Sequence, residues 1–106
     1  MSLESPRPVP ALFEFPDEPE RPECWGRFAE LRSDGAVLST AARVEKGARL
    51  RLRFDLPGGE AVAGLECDVR KVRRDADGYY EAALLWRLSA SRLQLNRALN
   101  RLFVVH

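Results

Sequence analysis

The segment Arg49-Leu50-Arg51-Leu52-Arg53-Phe54-Asp55-Leu56 alternates charged and apolar side chains without a fault, and this constrains the chain more than any other feature. Successive side chains of a strand point to opposite faces, so the segment reads as a strand with one face in a core and the other in water. Such a strand is stable only within a sheet that shares its apolar face. With 106 residues there is room for one such core, and 45% hydrophobic against 31% charged residues is the balance of a globular domain.

The same period runs through most of the chain after residue 23. Cys24 to Leu31 (CWGRFAEL) places Trp25, Ala29 and Leu31 on one face and Phe28 and Glu30 on the other, and Ser33-Asp34-Gly35 turns it into the apolar Ala36-Val37-Leu38. Glu45-Lys46-Gly47 precedes the alternating strand, and Pro57-Gly58-Gly59 returns it into a strand from about Ala61 to Arg73 with Leu65, Cys67 and Val69 inward. The parity breaks at Arg70-Lys71-Val72, and a bulge there returns Val72 to the core. After the turn Asp75 to Gly78, residues 79–86 form a last strand. From Ser89 or Ser91, both good N-caps, Leu95, Ala98, Leu99 and Leu102 recur at i, i+3, i+4 and i+7, one stripe of a helix over about 89–103. Arg97 and Arg101, with Asn96 and Asn100, take the other side. Six of the seven prolines fall in residues 1–22, so residues 1–23 read as an arm outside the regular structure. Its apolar stretch 9–15 is expected at a sheet edge or across a barrel mouth, not as a central strand, with a polar linker after it. The fold expected is mainly β: a small six-stranded antiparallel β-barrel in 24–106 with a C-terminal α-helix.

The only histidine is His106, at the chain end, so triad chemistry has no base; no metal-ligating cluster and no Gly-rich phosphate loop occurs. An enzyme is not expected. Cys24 and Cys67, 43 residues apart, read as small core hydrophobes rather than a disulfide or a metal site. No apolar run is long enough to cross a bilayer, and MSLESPRPVP lacks the pattern of a secretory signal, so membrane insertion is not expected and a cytoplasmic location is.

The formal charge of +1 conceals a split: residues 1–23 carry −4 and the remainder +5. Symmetric closure of the 57–60 loop sets Arg51 opposite Glu66 and Arg49 opposite Asp68, which neutralises the Arg49, Arg51, Arg53 row. Arg70, Lys71, Arg73 and Arg74 form a second basic cluster. No exposed aromatics are expected to interleave with it, so nucleic acid is not expected as a partner. Leu12, Phe13 and Phe15 in the arm, and Phe103, Val104 and Val105 at the end, are apolar segments available to dock on a protein.

The order of parts over residues 9–102 resembles the PilZ domain, a bacterial barrel whose better-known members bind the second messenger cyclic di-GMP. The resemblance rests on Glu30 to Leu38 (ELRSDGAVL), which lies where the family has Asp/Asn-x-Ser-x-x-Gly, on EKGARLRLRFDLPGG, and on GYYEAALLW. The ligand motifs depart from that pattern. Glu30 stands at the Asp/Asn position and Arg32 at the serine position, and only Gly35 is retained. Of the family's Arg-x-x-x-Arg, the arm keeps Arg7, with Leu3 four residues earlier. The resemblance therefore implies a signalling adaptor that lacks the cyclic di-GMP cofactor and works through a protein partner, in motility or pilus regulation by analogy. Two alternatives are a cyclic di-GMP receptor using Arg7, Arg32 and the 70–74 cluster, and a nucleic-acid-binding barrel.

Overall fold

A computed structural model of the chain describes the backbone of residues 2–3 and 9–104 and the side chains of residues 9–100. Six strands form a closed antiparallel barrel: β2 (Val9–Glu14), β3 (Cys24–Arg32), β4 (Gly35–Thr40), β5 (Arg49–Asp55), β6 (Ala61–Arg74) and β7 (Tyr80–Trp86). They pair in the circular order β2-β3-β4-β7-β6-β5, and β5 returns to β2. A short β1 (Ser2–Leu3) adds to β3 at Leu31 and Arg32. Helix α1 (Ala90–Val104) follows.

The alternating segment is β5, with Leu50, Leu52 and Phe54 buried and the arginines outside. Its hairpin with β6 closes one position away from the symmetric reading, with Asp55 opposite Ala61. A bulge then sets Ala63 and Gly64 against Arg53, and Gly64 supplies the φ of +69° that an L side chain resists. The bulge cancels the offset, so Arg51 faces Glu66 and Arg49 faces Asp68, as the sequence predicts. A second bulge between Val69 and Lys71 takes up Arg70 and brings Val72 against the core, also as expected.

A third bulge, at Ala29, corrects the reading of β3. The register shifts between Phe28 and Glu30, so Phe28 and Leu31 are both buried although their numbers differ in parity. Trp25 then points outward, 62% exposed, and does not share a face with the buried Leu31 as the alternation predicts.

The expectation that the proline-rich segment lies at an edge is also corrected. β2 pairs with β3 on one side and β5 on the other, and is the strand that closes the barrel. Proline is tolerated because pairing with β5 begins at Ala11; Pro10 faces only Arg27 of β3. Val9, Ala11 and Phe13 alternate into the core, and Phe15 follows them. The segment after β2 is held down rather than a free linker. Glu18 N–H donates to the Phe15 carbonyl at 2.9 Å, and the Arg21 guanidinium lies 3.6 Å above the Phe15 ring and donates to the Arg43 carbonyl at 3.0 Å.

Ser89 caps α1: its hydroxyl accepts from Arg92 N–H at 3.1 Å. Leu95, Ala98 and Leu99 join the barrel core, and the Ser91 hydroxyl and Gln94 amide donate to the Ala63 and Ala61 carbonyls, each at 2.7 Å, tying the helix to β6.

Two substitutions separate these contributions in urea unfolding. Leu95→Ala should cost about 2–5 kcal/mol, whereas Leu93→Ala on the exposed face should stay within about 0.5 kcal/mol. Gly35→Ala should destabilise by roughly 1–3 kcal/mol, because a Cβ on Gly35 would overlap the Leu84 carbonyl oxygen of the neighbouring strand.

Candidate functional site

Residues opposite each other in antiparallel strands point to the same side, so the pairings define rows across the outer barrel wall. One row runs Lys71, Ala83, Val37, Glu30 and the next Arg73, Glu81, Ser39, Arg27. Gly35 lies opposite Leu85, and Arg32 ends β3 across the Ser33-Asp34 turn from it. The motif positions Glu30, Arg32 and Gly35 and the basic residues Lys71 and Arg73 therefore share the wall formed by β3, β4, β7 and β6. A shallow cavity of about 260 Å³, lined by Val37, Lys71, Arg73, Glu81 and Ala83, marks its middle, and Leu85 is 41% exposed beside it.

The charges at the motif end are already engaged with one another. Arg32 Nε lies 3.8 Å from Glu30 Oε1 and 3.8 Å from Asp34 Oδ1. The turn is fixed from below, since Trp86 Nε1 donates to the Arg32 carbonyl and Trp86 N–H to the Asp34 carbonyl, both at 3.0 Å. Gly35 is buried, and the β4–β7 backbone contact that excludes a Cβ accounts for it without a ligand. In the basic cluster, Arg73 pairs with Glu81 at 2.9 Å; Arg74 donates to the Gly78 carbonyl and stands 4.9 Å from the Tyr80 ring. Arg70 and Lys71 have no ion pair among the described residues.

The opposite wall, from β2, β5 and β6, is neutralised more thoroughly than the register alone requires. Arg51 bridges Glu14 at 2.9 Å and Glu66 at 3.2 Å, and these hydrogen bonds raise its pKa. Glu23 holds Arg53 at 3.0 Å, and Asp17 holds Arg49. Although Arg49 and Asp68 are backbone partners, Asp68 pairs with Arg87 at 2.9 Å instead. Three of the six acidic residues in the first 23, Glu14, Asp17 and Glu23, thus lie along the arginine row.

Of the candidate docking residues, Phe13 and Phe15 are core side chains, 0% and 3% exposed, because inward alternation along β2 consumes them. Leu12, of opposite parity, is half-buried on the outer wall. Phe103 and Val104 lie in α1, where only the backbone is described, and Arg7 and Val105 fall outside the described residues. Sequence reasoning missed a cavity of about 380 Å³ on the outer wall, lined by Pro10, Leu12, Trp25, Arg53, Asp55 and Ala63 among others. Alternation through 9–15 carries the signal for Leu12; the bulge that turns Trp25 outward leaves none. Burial pushes the Cys67 thiol well above its usual pKa, an unreactive core position.

No family model and no curated protein matches the sequence. Solved structures do match. An inhibitor of motility from Bacillus subtilis (MotI/DgrA) superposes with a TM-score of 0.67 at 17% identity over 94% of this chain, which spans about half (51%) of that protein. The PilZ domain of CeSA from a cellulose-synthesizing bacterium gives 0.62 at 19% identity over 94% of this chain and 98% of the other. The PilZ domain of YcgR from Escherichia coli, with cyclic di-GMP, gives 0.69 at 11% identity over 92% and 85%. The closed six-stranded barrel, its helix and these superpositions together identify the fold of this chain as that of a PilZ-like domain.

Proposed function

We propose that this chain is a PilZ-type signalling adaptor that acts through a protein partner and does not hold cyclic di-GMP at its motif positions. The observation that carries this reading is Arg32, which stands where the family pattern has a small serine and lies between the carboxylates of Glu30 and Asp34. A dinucleotide phosphate approaching that turn would have to displace those ion pairs and then meet two acidic groups. Losing two charge-assisted hydrogen bonds removes roughly 3–6 kcal/mol, a factor of about 10² to 10⁴ in affinity. Gly35, the retained motif residue, has a packing reason of its own. The absence of a histidine before residue 106 speaks against triad-type catalysis, and the reading is of a binding module rather than an enzyme. A role in motility control is supported by the named function of the Bacillus subtilis structure, and a cytoplasmic location is part of the same proposal.

One observation favours a second reading, a receptor with a rearranged site: Arg32, Lys71 and Arg73 share one wall. Isothermal titration with cyclic di-GMP separates the two. The adaptor reading expects no saturable heat up to about 100 μM ligand. Micromolar binding that Arg32→Ala or Lys71→Ala reduces at least tenfold would replace it with the receptor.

A further inference from the structure

Leu12 lies on the outer wall between Trp25 of β3 and Arg53 of β5, its backbone partners on either side. One step along the strand, Pro10 lies opposite Arg27, and continuing the β2–β5 register places Asp55 on its other flank. Two parallel rows result: Trp25, Leu12, Arg53 and Arg27, Pro10, Asp55. Trp25 is 62% exposed, and the cavity of about 380 Å³ beside it is edged by the small residues Ala61 and Ala63. A tryptophan of this exposure next to an apolar hollow is the composition of an interface anchor. Among the described residues, Arg27 and Asp55 have no ion pair, although Arg49, Arg51, Arg53 and Arg87 on the neighbouring strands and loop all do. They are separated by two strand spacings, roughly 10 Å, with Pro10 between them.

A cation and an anion placed symmetrically about a central apolar strand are complementary to the same surface turned over. From this we infer that the outer wall around Leu12 is the interface of a two-fold homodimer, its occupant a second copy of this chain. A two-fold axis lying along β2 carries β3 of one copy over β5 of the other. Arg27 then meets Asp55 twice, Leu12 meets Leu12, and Trp25 lies over Arg53 next to the hollow at Ala61 and Ala63. Glu23 holds the edge of the Arg53 guanidinium at 3.0 and 3.3 Å, which leaves its planar face available to the indole. An isologous contact satisfies both unpartnered charges with one operation. The inference goes beyond the adaptor reading and does not rest on it: cyclic di-GMP binding, or its lack, leaves this wall unchanged.

Sedimentation equilibrium on the 106-residue chain tests the dimer by charge reversal. Arg27→Asp alone and Asp55→Arg alone should each weaken self-association at least tenfold, since like charges then face each other twice. An equimolar mixture of the two variants should dimerise, because every contact becomes Asp against Arg, and the double variant R27D/D55R should regain wild-type association. Trp25→Ala should weaken the dimer with no change in its charge pattern. Arg27 and Asp55 are exposed, so circular dichroism of the variants should match wild type. A wild-type chain that stays monomeric to about 1 mM overturns the inference and leaves the wall to a foreign partner. So does a mixture that stays monomeric, or single variants that associate as well as wild type.

Discussion

Closure of the barrel depends on β2 finding both of its neighbours. Strands β3 to β7 alone form an open sheet whose free ladders belong to β3 and β5, and β2 is the strand that pairs with both. Pro10 sets the limit of that arrangement, as it removes one backbone donor and is accommodated where the β5 partnership has not begun. The outer charge pattern follows from the same event. Glu14 is part of β2, Asp17 lies just beyond its end and Glu23 directly precedes β3, so seating β2 and the segment that joins it to β3 brings three carboxylates to Arg51, Arg49 and Arg53. Each exposed pair is worth little alone, but the set gives this wall no net appeal to a polyanion.

The parts of the fold that were legible in the sequence are those governed by local period. The β5 alternation, the stripe of α1 and the Ser89 cap could be read directly because side-chain direction alone decides them. Bulges are harder. The break at Arg70 to Val72 is visible, since an apolar residue would otherwise face water, but at Ala29 either parity offers plausible inward residues, and plain alternation groups Trp25 with Leu31. The hairpin register agrees with symmetric closure beyond Leu52 only because the displaced turn and the Gly64 bulge offset each other. The placement of 9–15 is not legible because a proline count weighs against a central strand, whereas the outcome depends on which single ladder Pro10 faces.

At the candidate site, the residue substitutions were legible and their consequences were not. Glu30 and Arg32 mark a departure from the family motif on inspection, but that they lie within ion-pair distance, and that Lys71 and Arg73 share their wall, requires the strand order. The barrel thus has two unlike sides. One carries the motif turn, an apolar strip through Val37, Ala83 and Leu85, and Lys71, which has no ion pair among the described residues. The other carries a neutralised arginine row that gives way, toward Pro10 and Leu12, to an apolar surface.

The position of the closing strand in the chain also affects how the molecule forms. Val9–Glu14 is synthesised before either partner, and its contact with β5 joins positions about forty residues apart, such as Leu12 with Arg53. Contacts so distant in sequence carry a large loop-closure cost before they return any stabilisation, which slows folding relative to a helical chain of this length. During synthesis the strand therefore exists for a period with apolar residues and unpaired backbone groups exposed. Pro10, and the prolines that follow at 16, 19 and 22, make that nascent segment a poor template for pairing with another chain. The residue that looks least suited to a barrel strand protects it until the barrel can close.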